Sequence, residues 1–283
     1  MNRLFVSLVC FFIPKKENRD RFWNKHVFDP QAELRRMSAV MNRLEEKIDN
    51  ITRKISYQDA VYYIQNAKFY LPNYPMDEIQ RVMVNTNRYW EQDLLESLPV
   101  EKYDVIFDIG ANIGSHSVYW AREKGSNEIH AFEPIRETFE ILKKNVEING
   151  LGNIVRINNV GLSSDTREAE IARDCNYSDN MAATRLCKSD GRKHGGISMV
   201  PLDKYVKEEF SGEGIDLIKI DVELFEIEVL QGAKETLTKF SPVIFIEAFS
   251  QNFDEVDALL KNYGYIRTAD LPAHNYIYKK ESR

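Results

Sequence analysis

Cysteine is scarce in this 283-residue chain: it occurs three times, as Cys10, Cys175 and Cys187. An odd, widely spaced set builds neither a disulfide framework nor a zinc cluster, and it fits a reducing cytoplasm. An excess of positive charge is also missing. Lys and Arg number 38 against 44 Asp and Glu, for a net charge of −6. That balance excludes a broad basic face, so nucleic acid is not expected as a partner. No internal repeat or low-complexity tract occurs. Histidine is sparse at five residues. His130 falls inside an expected strand and reads as core. His116 falls in the first turn of a helix and reads as a packing residue. Only His194, in a polar loop, is open to a role.

Long apolar runs are absent too. Residues 4–13 (Leu-Phe-Val-Ser-Leu-Val-Cys-Phe-Phe-Ile) are strongly apolar but too short to span a bilayer. Arg3, Lys15, Lys16, Arg19 and Arg21 flank them. Pro14-Lys15-Lys16 follows where a signal peptide would carry small residues for cleavage. Two readings of this 1–30 segment stay open. It docks against protein, or it lies in the membrane interface with its cations toward anionic lipid. The chain is therefore expected in the cytoplasm, with peripheral contact at the inner membrane face through residues 4–21 as the second reading.

What is present divides the chain into four parts. Residues 31–56 read as one helix. Met37, Met41, Leu44, Ile48, Ile51 and Ile55 alternate at steps of four and three, as in a heptad seam. The short seam favours a homo-oligomer through residues 37–55, against the plainer alternative of a helix packed on its own domain. Residues 57–100 read as a helical linker or cover. One helix spans about 57–70, and Leu71-Pro72-Asn73-Tyr74-Pro75 breaks it. A second spans about 78–98, capped by Asp77, with Ile79, Val82, Met83, Trp90, Leu94 and Leu98 on its inner face. Asn85, Asn87, Arg88 and Tyr89 face elsewhere, and a solvated face is their simplest reading.

Residues 101–283 form the fourth part, where strands alternate with helices. Strands are expected near 104–108, 128–133, 153–158, 215–221, 243–247, 264–268 and 275–279. This rhythm predicts an α/β fold with a mostly parallel seven-stranded sheet and right-handed crossovers. The last two strands are joined by a short link containing Pro272, which predicts an antiparallel pair at one edge.

The most informative stretch is Val105-Ile106-Phe107-Asp108-Ile109-Gly110-Ala111-Asn112-Ile113-Gly114. It reads as a strand covered on both faces that ends in a carboxylate and turns through two glycines into a helix over about 114–124. The helix start offers unpaired N–H groups to a ligand carboxylate. A dinucleotide site has a glycine where Asn112 stands, because the pyrophosphate needs that space. S-adenosylmethionine carries no phosphate and does carry a carboxylate. Two glycines alone would fit an ordinary strand–helix turn. However, Ile129-His130-Ala131-Phe132-Glu133-Pro134 follows, a second strand closing on an acid. Glu133 stands close to the distance expected of a ribose-holding carboxylate. Alone it would more often cap a helix.

In an open α/β sheet, ligands bind beyond the carboxyl ends of the strands. Ile218-Lys219-Ile220-Asp221 closes a fourth strand and is followed by Val222-Glu223. Phe245-Ile246-Glu247 closes a fifth. Asp221 or Glu223 is suited to take a proton from an acceptor hydroxyl. The plain alternative for Asp221 is capping a helix that begins near 223. A divalent cation such as Mg²⁺ on the three acids is a less favoured reading, and no metal ligands are assigned. A polar loop over about 173–197, with Arg173, Tyr177, Arg185, Lys188 and His194, has the length of a binding loop or lid.

These pieces resemble the FkbM-type family of S-adenosylmethionine-dependent methyltransferases over residues 103–250. The matching segments are Asp108-Ile-Gly-Ala-Asn-Ile-Gly114, Phe132-Glu133-Pro134, Asn145-Val-Glu-Ile-Asn149, Pro201-Leu202-Asp203, Lys219-Ile-Asp221-Val-Glu223 with Glu226 and Val229-Leu230-Gln-Gly232, and Pro242 through Glu247. The resemblance implies a class I, Rossmann-like methyltransferase fold and methyl transfer, usually to a hydroxyl of a sugar or polyketide-like acceptor. It implies that Asp108, Gly110, Asn112, Gly114 and Glu133 face the cofactor, and that Asp221 and Glu223 lie near the acceptor. The family usually has glycine and then a small or polar residue where Leu224 and Phe225 stand, which predicts a narrower or differently shaped acceptor pocket. O-methylation of a saccharide in surface glycan assembly is the leading expectation. A lipid-linked or natural-product acceptor, and an inactive cofactor-binding scaffold, are the alternatives.

Overall fold

The computed structural model describes residues 37–38, 40–41, 43–44, 60–99, 102–172, 185–188 and 196–281. The chain divides into two units, Met1–Asp59 and Ala60–Arg283. In the first unit the described residues are helical, and Met37, Met41 and Leu44 of the seam are exposed. Residues 4–21, Ile48, Ile51 and Ile55, and Arg173, Tyr177 and His194 lie outside the described residues. Among the described residues no helix is long and apolar enough to cross a membrane.

The second unit opens with a correction. Residues 57–70 are expected to be helical, yet β1 (Val61–Ile64) and β2 (Ala67–Tyr70) form an antiparallel hairpin around Gln65 and Asn66. Both arms are rich in β-branched and aromatic residues, which favour strands. The turn lacks the usual Asn-Gly or Asp-Gly signal and bends at Gln65, whose φ is 50°. The expected 78–98 helix is in fact two, α1 (Glu78–Thr86) and α2 (Gln92–Glu96). Asp77 caps α1 as expected, its Oδ1 accepting from the Gln80 N–H at 2.9 Å. The chain breaks at Asn87 and Glu91, both in the left-handed region. That break turns Tyr89 inward, where it is buried against Phe69 and Tyr119 instead of facing solvent.

The main sheet contains β3 (Val105–Ile109), β4 (Glu128–Phe132), β5 (Val155–Asn158), β10 (Leu217–Ile220), β11 (Val243–Glu247), β12 (Tyr265–Leu271) and β13 (Asn275–Lys280). Their order across the sheet is β12-β13-β11-β10-β3-β4-β5. Every pairing is parallel except those of β13, which runs antiparallel to both β11 and β12. This is the class I methyltransferase, Rossmann-like α/β arrangement. Isoleucine, leucine, phenylalanine and valine side chains fill a core on each face of the sheet. The helices packed around it are α3 (Ser115–Tyr119), continued by a π-helical turn over Trp120–Lys124, then α4 (Arg136–Ile148), α5 (Leu202–Glu209), α6 (Glu226–Gln231), α7 (Lys234–Phe240) and α8 (Phe253–Asn262).

A second sheet lies within the stretch between β5 and β10. It comprises β6 (Gly161–Leu162), β7 (Arg167–Ala172), β8 (Arg185–Lys188) and β9 (Ile197–Val200), ordered β6-β9-β7-β8. The expected open loop over 173–197 therefore contains a strand at Arg185–Lys188.

The Asn145 and Asn149 pair explains how the hairpin attaches. The two residues share one face of α4 at i, i+4 spacing. Asn145 accepts from the Tyr70 N–H (2.6 Å) and donates to the Ile113 carbonyl (2.8 Å). Asn149 accepts from the Lys68 N–H (3.0 Å) and donates to the Lys68 carbonyl (2.6 Å). The side-chain amides thus take the place of a strand along the free edge of β2 and link it to the loop after β3.

Candidate active site

The order in which successive strands are added switches sides between the parallel neighbours β3 and β10, and a cleft of about 230 Å³ opens at the carboxyl ends of these strands. The turn after β3 is built for close packing. Gly110 has φ 79°, and a Cβ there would stand 1.8 Å from the Asp221 carbonyl oxygen. The Gly110 and Ala111 N–H groups donate to the Phe132 carbonyl at 3.0 and 2.9 Å, tying this turn to the end of β4. Gly114 has φ 85° and packs against Leu142 of α4.

Gly110, Asn112, Glu133, Asp221 and Glu223 line the cleft together. Asp108 lies beneath it, fully buried, with Oδ2 accepting from the Ser117 hydroxyl at 2.6 Å. Its Oδ1 has no hydrogen-bond partner and faces the Lys219 ammonium at 3.4 Å. Gly114 also lies behind the wall, where it allows the turn rather than contacting the cavity.

Glu133 is buried and held by backbone alone. Its Oε1 accepts from the Ile135 N–H at 2.8 Å and its Oε2 from the Asn112 N–H at 3.0 Å. Each oxygen keeps a further lone pair for a ligand hydroxyl. Burial raises its pKa to about 7 despite those two N–H groups and Lys219. Glu133 steadies Ile135, the residue before α4, but does not cap that helix in the usual way, and it also lines the cavity. Pro134, Ile135, Val160 and Leu162 provide an apolar wall beside it.

Lys219 falls within a motif that by itself gives it no role, and the structure makes it the hub of the site. Its Nζ donates to the Gly110 carbonyl at 2.6 Å and lies 3.3 Å from Asp221 Oδ2. Burial disfavours its charge, but Asp221 and Asp108 outweigh that and raise its pKa. One buried ammonium therefore joins the ends of β3 and β10. Burial pushes Glu247 upward, and neighbouring Asp221 pushes it further, so Glu247 holds a proton and shares it with Asp221. Asp221 is lowered: burial opposes its charge, but Lys219 and the Glu247 hydrogen bond outweigh burial. Asp221 does not cap the next helix, which begins at Glu226 after Phe225.

Glu223 and Leu224 both occupy the left-handed region, with φ 52° and 75°. Leu224 thus adopts a backbone conformation that glycine takes without strain, and the Leu224 N–H donates to Glu226 Oε1 at 3.0 Å. Leu224 does not line the cleft, whereas Phe225 does. Any narrowing from this departure therefore comes from Phe225 alone.

Glu78 and Glu91 are lining residues that the sequence does not mark as part of the site, and His116, expected only to pack, lines it as well. Glu91 comes from the cover, and His116 from the first turn of α3. His116 is marked locally only by its place in the first turn after Gly114, and recognising Glu91 requires the fold. Among the described residues no group of three or more His, Cys, Asp or Glu side chains is arranged to hold a metal ion.

The chain is similar to several known proteins. The family model for the methyltransferase FkbM domain matches residues 108–267. The chain is 27% identical over 185 residues to the hexuronic acid methyltransferase AglP of Haloferax volcanii, covering 64% of this chain and 72% of that protein. It is 27% identical over 193 residues to the methyltransferase sdnD of Sordaria araneosa, covering 58% and 74% respectively. Among solved structures it is similar to a methyltransferase FkbM from Methylobacillus flagellatus KT, at 17% identity and a TM-score of 0.46. That match covers 65% of this chain and 45% of the other, so this chain spans less than half of that protein.

Proposed function

The chain belongs to the FkbM methyltransferase family and is an S-adenosylmethionine-dependent methyltransferase, and from that premise we propose that it methylates a saccharide hydroxyl in surface glycan assembly. The observation that carries this reading is the chemistry of the cleft. One end presents Glu133 and an apolar wall, and the other presents Asp221, Glu223 and Glu247. The sugar-directed name of the Haloferax volcanii relative supports a saccharide acceptor.

The residues present fit the donor. Glu133 would hold the ribose hydroxyls through its remaining lone pairs, and Pro134, Ile135, Val160 and Leu162 suit a flat heteroaromatic ring. Gly110 and Asn112 would face the amino-acid part, with Asp108 and Gly114 supporting them from behind. When bound, S-adenosylmethionine supplies an electrophilic methyl group on a sulfonium. Asp221 and Glu223 orient the acceptor hydroxyl for in-line attack, where positioning contributes much of the rate. The Lys219 ammonium keeps the Asp221 carboxylate ionised and fixed, so it accepts a hydrogen bond without rearranging.

The test uses the full chain with methyl-labelled S-adenosylmethionine, a panel of nucleotide sugars and a lipid-linked glycan extract. S-adenosylhomocysteine and label on a saccharide oxygen are expected. Donor binding without turnover on any saccharide, or label on nitrogen, would refute the reading.

A further inference from the structure

Glu91 lies outside the residues matched by the family model, yet it reaches the cleft. It is placed there by an unfavourable backbone conformation, φ 53° and ψ 29°, at the break between α1 and α2. The neighbouring Trp90 N–H donates to the Ser115 hydroxyl at 2.9 Å and pins this turn onto the start of α3. The Glu91 carbonyl accepts from the Leu94 and Leu95 N–H groups at 2.9 and 3.2 Å. Residues held in such conformations concentrate at functional sites.

The group facing Glu91 is unusual. His116 is 5% exposed, and its Nε2 lies 3.6 Å from Glu91 Oε2 without a hydrogen-bond partner. The ring's other nitrogen is engaged by the Trp90 backbone. Burial, with help from Lys219, lowers the pKa of His116 to about 4, so the ring is neutral and Nε2 presents a lone pair. A lone pair aimed at a carboxylate is a poor match, but aimed at a carboxylic acid it is a ready acceptor. The pair is therefore built for a Glu91 that gains a proton.

We propose that Glu91 is the base that removes the acceptor's proton, and that His116 is the positioning residue that receives the protonated carboxyl. This rests on the hydroxyl reading given above. The acceptor oxygen forms a bond to the methyl carbon as the carbon–sulfur bond breaks and leaves its electron pair on sulfur. The hydroxyl proton passes to Glu91. Asp221 is less suited to this step, because Lys219 and Glu247 already engage it. The groups facing Glu91 are His116 from α3, Lys219 from β10, Asp221 just beyond that strand, and Glu247 from β11, and Glu78 and Glu223 line the same cleft. Burial first, then Asp221, raise Glu91 to about 7 against the opposing pull of Lys219, in the range where a general base works best.

Two measurements on the full chain decide the matter. Calorimetry of S-adenosylmethionine binding at pH 7, in buffers of different ionisation enthalpy, counts the protons released when the cationic donor enters. With Glu91 near half protonation, Glu91→Gln is expected to lower the release by roughly half a proton. An unchanged count would overturn the proposal. With a methylated saccharide in hand, Glu91→Gln should lower kcat by about 100-fold or more and remove the limb of the pH profile near 7. That comparison is made at saturating donor, because losing a group whose ionisation accompanies binding should itself weaken donor affinity by about tenfold. Glu91→Asp should partly restore turnover. A kcat for Glu91→Gln within threefold of wild type, or a surviving limb, would also overturn it. The proton count needs no acceptor, so it judges Glu91 even if no saccharide is methylated, an outcome that refutes the saccharide reading instead.

Discussion

Replacing Gly110 with alanine tests whether the end of β10 lies against the cofactor turn. Gly110 and Gly114 have nearly the same backbone, φ 79° and 85°, so alanine pays a similar left-handed penalty at either, about 1–2 kcal/mol. Their surroundings differ. At Gly114 the new methyl would meet Leu142 Cδ1 at 2.6 Å, the end of a side chain that can rotate away. At Gly110 it would stand 1.8 Å from the Asp221 carbonyl oxygen and 2.9 Å from its carbon. Backbone must then move, and overpacking of this kind costs roughly 1–3 kcal/mol more. Taking about 2 kcal/mol as the difference, Gly110→Ala should melt about 4–8 °C below Gly114→Ala for a domain of this size. The assay is thermal denaturation of both variants beside the wild type, followed by calorimetry with S-adenosylhomocysteine. Because the displaced group is Asp221, Gly110→Ala should also lose ligand affinity more severely. Melting points within 2 °C, within about 1 kcal/mol of each other, would refute this packing of the β3 and β10 ends.

Two further outcomes follow from the same structure. Glu91, Glu133 and Glu247 all have pKa values raised by burial, so the folded state holds protons that the unfolded state releases. The ligand-free protein should therefore lose stability as pH rises from about 5 to 8. The ionised form of Glu133 is the one that accepts ribose hydroxyls, so the increase in Tm given by S-adenosylhomocysteine should be larger at pH 8 than at pH 5.5. Glu133→Gln should abolish that difference, and an equal increment at both pH values in the wild type would refute it. Asn145→Ala strips partners from the Tyr70 N–H and the Ile113 carbonyl, so urea denaturation should show a loss of about 2–4 kcal/mol. A loss below about 1 kcal/mol would mean that the hairpin does not depend on this clamp.

Much of this protein is determined by stretches of ten to thirty residues. The buried strand Val105–Ile109, the turn at Gly110, and Glu133 at the end of the next strand form one local βαβ unit, and their periodicity and spacing identify it. The antiparallel edge pair was equally legible, because a short link cannot make a parallel crossover. The hairpin over 61–70 was not. Its arms carry strand-forming residues, but its turn lacks a hairpin signal, and β2 is fixed by Asn145 and Asn149, more than seventy positions away. The proton inventory of the cleft was likewise invisible in one dimension. Lys219 becomes a hub only when β10 lies beside β3, and Glu91 meets His116 only when the cover folds over α3. Charge on a buried side chain depends on which groups surround it and how little water reaches it. Those quantities belong to the folded arrangement, and no short stretch of the chain contains them.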